Sequence, residues 1–194
     1  MSFEQKKGKL LVISGPSGVG KTEVALVLRS LGDLYVKSVS ATTREIRVGE
    51  TNGVDYFFVS SEEFDNMEKN GELLETTKYN GNCYGTPRKY IEKVLDEGKV
   101  AILVIDVVGA LNVKEMFPDA TLCFLNAESL EVIEKRLRNR KTDDEEAIIN
   151  RLAVAKGEID SADRFDFVVI NREGEMEAAV KEIDEIIRKM LIAE

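Results

Sequence analysis

A chain of 194 residues, 43% hydrophobic and 32% charged, suits one domain of ordinary size with its own core. Its net charge of −9 offers no basic field to neutralise a nucleic-acid backbone, so nucleic acid is not expected as a partner. Histidine is absent, which removes imidazole acid–base catalysis, His-based triads and His zinc sites.

No apolar run approaches the about 20 residues of a membrane span, and residues 1–7 carry no signal-peptide core. No membrane association and a cytoplasmic location are the expectations. Cys83 and Cys123 sit among apolar or aromatic neighbours and are expected as free, buried or half-buried thiols.

In chain order, the apolar run 10–13 leads into Gly15-Pro16-Ser17-Gly18-Val19-Gly20-Lys21-Thr22. A helical pattern follows, with Val24, Leu28 and Leu31 on one face, ending near Gly32. The stretch satisfies G-x-x-x-x-G-K-[ST] in its proper strand-to-helix context. Glycines let backbone N–H groups turn inward around phosphate oxygens, and the helix presents its positive end to the same anion. Lys21 can reach the β- and γ-phosphates, and the Thr22 hydroxyl is a natural Mg²⁺ ligand. Motif and context together set aside a ligandless glycine-rich turn, and a nucleoside triphosphate is expected on Gly15 through Thr22.

Residues 35–39 read as a second short strand and 40–50, rich in hydroxyls, as a functional loop. Residues 56–59 are strand-like. Ser60-x-x-Glu63 forms a capping box that opens a helix through Phe64 and Met67, stopped by Gly71. Residues 72–78 and the turn Asn80-Gly81-Asn82 suggest a hairpin. Residues 40–87 thus read as a small, partly β lobe inserted in the main body. Thr86-Pro87 reads as a helix start, Thr at the N-cap and Pro at the first helical position, with Gly98 as the stop.

The continuous apolar run 100–105 predicts a central parallel strand buried on both faces, and 121–125 and 167–170 read the same way. Helices are expected at 110–116, 130–138 and 145–161. A last helix carries Met176, Val180, Ile183, Ile187 and Met190 as a core-facing stripe. Strands alternating with helices predict an α/β fold, a parallel sheet of the P-loop NTPase type flanked by helices. Asp106-Val107-Val108-Gly109 fits the GTPase pattern D-x-x-G, but no N-K-x-D follows, and a GTPase is not expected. An aspartate at that strand end serves Mg²⁺ or the phosphate site in many phosphate-loop families.

The inserted lobe discriminates among these families. Ser40-x-Thr42-Thr43-Arg44-x-x-Arg47-x-Gly49-Glu50-x-x-Gly53-x-Asp55-Tyr56, with Glu75 and Asn82-x-Tyr84-Gly85-Thr86, resembles the substrate segments of guanylate kinase. The likeness runs from about residue 10 to residue 192. It implies a single domain: core at about 8–39, 88–138 and 163–194, a GMP-binding mixed α/β lobe at about 40–87 and a helical lid at about 139–162. It also implies transfer of the ATP γ-phosphoryl group to GMP with Mg²⁺, with deoxy-GMP as a second candidate acceptor.

The residue chemistry agrees with that implication. Arg44, Arg47 and the hydroxyls of Tyr56 and Tyr84 can grip a monophosphate. Guanine presents N1–H and the N2 amine side by side, which the Glu75 carboxylate can accept together, while Ser40 and Thr86 can donate to O6. Adenine would leave Glu75 unpaired. The resemblance places Glu50, Gly85 and Asp106 at the substrate as well. It places Arg136, Arg140 and Arg151 on the lid, where with Lys21 and Arg44 they would neutralise the transferring phosphoryl group. Asn171 matches the family's adenine-side position.

The chain departs from the family at Val104, usually acidic, at Val108, usually Gln, and at Arg172, often acidic. Those departures keep a kinase for another nucleotide or small phosphate open as an alternative. A catalytically silent guanylate-kinase-like binding module is a second, although such modules typically lose the phosphate loop kept here. The oligomeric state, monomer or homodimer, is not legible.

Overall fold

Leu10 through Ile13 are all buried because β1 (Lys9–Ser14) runs through the middle of a sheet covered on both faces. A computed structural model describes residues 7–79, 81–139 and 144–192. The sheet also contains β2 (Tyr35–Lys37), β7 (Val100–Val104), β8 (Thr121–Asn126) and β9 (Phe167–Ile170), in the order β2-β7-β1-β8-β9. Every pairing in it is parallel.

Strand alternation divides the core in two. Leu11 and Ile13 face α1 (Lys21–Ser30), α5 (Leu130–Asn139) and α7 (Met176–Ile192), meeting Leu28, Ile133 and Ile183. Leu10 and Val12 face α3 (Arg88–Asp96) and α4 (Val107–Met116), meeting Ile91 and Val113. Each such side chain taken from water contributes about 1.5–3 kcal/mol, which is why continuous apolar runs became central strands.

The two crossovers that matter diverge. β1 feeds α1 on one face, and β7 feeds α4 on the other, although the strands are neighbours. A crevice opens between their carboxyl ends, where α/β sheets bind ligands. The loop 15–20 lies on one side of that crevice and Asp106 on the other.

A second sheet of four strands stands beside the first: β3 (Ala41–Thr42), β4 (Phe57–Phe58), β5 (Leu73–Tyr79) and β6 (Asn82–Pro87), ordered β4-β3-β6-β5. Its core is Ala41, Leu73 and Phe64, the last from α2 (Ser61–Lys69). The capping box of α2 is complete: Ser60 Oγ accepts from Glu63 N at 3.1 Å, and Glu63 accepts from Ser60 N at 2.8 Å. Gly85 of β6 is required by packing, since a Cβ there would come within 2.9 Å of Leu73 and 3.2 Å of Phe64.

The last long helix before β9 is α6 (Glu145–Ile159), opened by Asp144, whose carboxylate accepts from Ala147 N at 2.8 Å. Arg138 ties the end of α5 to its start, donating to Glu145 at 2.6 and 2.7 Å and to Glu134 at 2.8 Å. Among the described residues no helix is long and apolar enough to cross a membrane.

Several expected boundaries move. Residues 41–42 pair as β3 inside the stretch read as a loop, because Ala41 and Thr42 are buried between β4 and β6. α4 starts at Val107, three residues early, because Asp106 Oδ1 caps it through Gly109 N at 2.7 Å. Thr86 is not a helix cap. It lies buried in β6, and the residue before α3 is Pro87, with no side-chain cap. α6 ends at Ile159, and a short 3₁₀ turn takes residues 162–164. Cys123 is buried and Cys83 half-buried, both free, as expected.

Candidate active site

The phosphate loop is held in shape by groups outside it. Gly20 adopts φ +94°, and a Cβ there would meet Asn171 Nδ2 at 2.7 Å, so only glycine fits. Asn171, 5% exposed at the end of β9, donates from Nδ2 to the Val19 carbonyl at 2.8 Å. Arg136 donates to the same carbonyl at 3.3 Å and to the Asn171 carbonyl at 2.8 Å. Lys21 Nζ lies on the loop's own carbonyls, Gly15 at 2.6 Å and Pro16 at 2.9 Å. The expected adenine-side residue Asn171 is therefore also a strut of the loop. Asn171→Ala is expected to lower stability by about 1–3 kcal/mol and to weaken triphosphate binding, measured by urea unfolding and by ATP titration.

On the far side of the loop, Arg136, Asn171 and Gly20 share a cleft of about 700 Å³ with Arg172 and residues 174–178. This cleft is the candidate position for the base of the triphosphate. The 174–178 stretch escaped the sequence reading because its polar residues carry no motif.

The inserted sheet carries the second half of the site. Ser40, Arg44, Arg47, Glu50, Tyr56, Glu75, Tyr84 and Asp106 line one cleft of about 650 Å³. Arg44 is fixed before any ligand arrives. Its guanidinium forks onto Glu50 at 2.7 and 3.0 Å and lies 5.4 Å from the Tyr56 ring centre and 5.6 Å from that of Phe58. Tyr84 lines the same cleft. Glu50 also accepts from Arg47 N at 2.8 Å. Those bonds, Arg44 first, hold the Glu50 carboxyl below the ordinary range. Glu50 thus stands behind the arginine as its fixed counter-charge.

Glu75 is 8% exposed and accepts from Thr86 Oγ1 at 2.7 Å. The Thr86 hydroxyl is accordingly committed to Glu75, which it orients. Burial pushes the Glu75 carboxyl above the ordinary range, Thr86 partly offsets this, and the Asp106 charge adds to it. The folded chain therefore holds a proton here more tightly than the unfolded one. That contribution to stability is full below the ordinary carboxylate range and is lost as pH rises through the raised value. Glu75→Gln is expected to melt higher than the wild type at about pH 8, with the gain shrinking toward about pH 4, as scanning calorimetry would show.

Val104 and Ile105 add apolar side chains to the lining of this cleft, which also includes Thr77 and Lys78. The strand alternation of β5 places Thr77 and Glu75 on one side, a signal available in the sequence once the strand is known.

Asp106 also borders a cleft of about 840 Å³, together with Ser17, Val108, Arg151 and Glu158. It therefore joins the acceptor side to the phosphate-loop side. Arg151 lines that cleft from α6, and Arg136 reaches the loop from α5. Arg140 lies outside the described residues. Thr22, exposed in the first turn of α1, and Asp106 offer a hydroxyl and a carboxylate. Among the described residues there is no cluster of three metal-ligating side chains. One or two protein oxygens fit Mg²⁺ carried on substrate phosphates and water.

The guanylate kinase family model matches residues 7–190. Guanylate kinases of Bacillus cereus and Halalkalibacterium halodurans are each 47% identical to this chain, covering 90% and 95% of it and 85% and 90% of their own lengths. The guanylate kinase of Lactococcus lactis is 43% identical over 98% of this chain and 90% of its own. The crystal structure of guanylate kinase from Anaplasma phagocytophilum superposes with a TM-score of 0.72 at 36% identity, covering 96% of this chain and 87% of that one. With a phosphate loop facing a cleft lined by a buried carboxylate and a preset arginine, and with these matches along nearly its whole length, the chain belongs to the guanylate kinase family.

Proposed function

We propose that this chain is an ATP-dependent guanylate kinase that converts ATP and GMP to ADP and GDP. The buried Glu75 carboxylate, aligned by Thr86 in the same cleft as Arg44, carries the reading. It accepts the adjacent N1–H and N2–H of guanine, while Arg44, Arg47, Tyr56 and Tyr84 hold the monophosphate. ATP lies on the other side of the crevice, with its β- and γ-phosphates on residues 15–22 and its base toward residues 171–178.

A GMP phosphate oxygen attacks the γ-phosphorus, and the bond to the β–γ bridging oxygen breaks as ADP leaves. Such an oxygen is already anionic near neutral pH, so no strong base is needed and the absence of histidine is no obstacle. Lys21, Arg136 and Arg151 supply positive charge to the transferring group, and Arg140 is proposed to join them. The Thr22 hydroxyl would hold Mg²⁺, which would supply charge neutralisation when bound. Residues 40–87 act as the GMP lobe and 139–162 as the lid, closing to align the reactants and exclude water.

ADP release with ATP, Mg²⁺ and each of GMP, deoxy-GMP, AMP, UMP and CMP tests this. Turnover confined to GMP and its deoxy form is expected. Preference for another acceptor would reassign the cleft to a sister kinase and trace the change to Val104. Silence with all five would overturn the reading.

A further inference from the structure

A further cleft, of about 410 Å³, lies between α1 and the 50–56 stretch of the inserted lobe. Thr22, Leu26 and Arg29 line it at i, i+4 and i+7, which is one face of α1. The end of β2 supplies Lys37. Tyr35 donates to Asp184 of α7 at 2.7 Å, so strand alternation puts Lys37, two residues on, on the α1 and α7 side of the sheet.

The charges in this cleft are unevenly matched. Its two acids are committed: Glu50 holds Arg44, and Asp55 Oδ2 accepts from Thr51 N at 2.7 Å. Among the described residues, the side chains of Arg29 and Lys37 make no hydrogen bond or ion pair. Lys37 is half-buried, and burial, then the Arg29 charge, lowers its pKa, with Asp55 acting in the opposite sense. An ammonium drawn partly out of water with no partner is costly, and a second cation on the same cleft adds to the cost. An anion between them relieves both. Two apolar side chains also face the cleft in the open, Leu26 from α1 and Val54 from the lobe, 47% and 63% exposed.

We propose that this cleft binds a small organic phosphate, with its phosphate on Arg29 and Lys37 and its apolar part against Leu26 and Val54. Arg29 offers paired planar donors and Lys37 a point charge, and the volume falls within the about 300–1,000 Å³ of small-ligand sites. Glu50 and Tyr56 line both this cleft and the acceptor cleft, so the two sites share a wall.

Backbone amide NMR of the full chain, titrated separately with inorganic phosphate and phenyl phosphate, tests the proposal. The amides of Lys37, Ser38 and Val54 are expected to shift and saturate with both. Phenyl phosphate should bind there about three- to tenfold tighter, because it also covers Leu26 and Val54. Signals of residues 15–22 and 75–78 report the phosphate loop and the acceptor cleft independently. Lys37→Gln and Arg29→Gln, each checked by thermal melting, should weaken binding at Lys37, Ser38 and Val54 reporters by at least about tenfold. Leu26→Ser should erase the advantage of phenyl phosphate and leave inorganic phosphate unchanged. Shifts confined to residues 15–22 and 75–78 would overturn the site, as would unchanged binding in the folded Lys37→Gln and Arg29→Gln variants. Equal affinity for the two probes would overturn the assignment to an organic phosphate.

Discussion

Lys21→Ala is expected to lower kcat for ADP formation by about a hundred- to a thousandfold while leaving GMP affinity unchanged. The ammonium sits on the Gly15 and Pro16 carbonyls, at the mouth of the loop, where a β- or γ-phosphate would replace those partners. Phosphoryl transfer is driven by placement and charge neutralisation, so losing a fixed cation there acts mainly on the transition state. Lys21→Met, which keeps the aliphatic stem, separates charge from packing and should be as inactive. A coupled ADP assay gives kcat, and direct GMP titration gives the control. Activity within tenfold of the wild type would contradict the placement of the transferring group at Lys21.

Glu75→Gln is expected to reduce the preference for GMP over AMP, measured as the ratio of kcat/KM values, by at least about a hundredfold. The loss should fall on GMP. A glutamine amide offers one acceptor oxygen and one donor nitrogen where guanine needs two acceptors, so one of the paired N–H groups meets a donor. With AMP the change removes an unpaired buried charge and should be neutral or mildly favourable. The same substitution is expected to raise the melting temperature near neutral pH, which would exclude misfolding as the cause of lost activity. A variant that retained wild-type discrimination would place guanine recognition elsewhere in the cleft.

The arginines show how much of the site was legible before the structure. Arg44 was readable because residues 40–56 resemble the family's substrate loop and an arginine there can grip a monophosphate. Its companions were not, since the fork onto Glu50 and the approach of Tyr56 and Phe58 depend on β3 and β4 meeting. Arg136 was read from the family resemblance, as one of the lid arginines. Only the packing of α5 against β9 shows that it grips the carbonyls of Val19 and Asn171. Arg138, two residues on from Arg136, pairs with Glu134 and Glu145. Thr86 was misassigned as a cap because Thr-Pro is a strong local signal for a helix start. Burial in β6 and a bond to Glu75 outweighed that signal.

What the sequence determined by itself is what short-range chemistry encodes. The loop from Gly15 to Thr22 needs glycines and a Lys-Thr pair at fixed spacing. The central strands need unbroken apolar runs, and the α2 capping box needs Ser60 and Glu63 three residues apart. Tertiary structure decided whatever depends on distant segments meeting. β1 and β7 send their helices to opposite faces and so open the crevice. Burial raises the pKa of the Glu75 carboxyl, and α6 brings Glu158 and Arg151 to the cleft that Ser17 lines. A carboxylate's desolvation and its neighbours' charges come from residues dozens of positions away, so no local pattern records them.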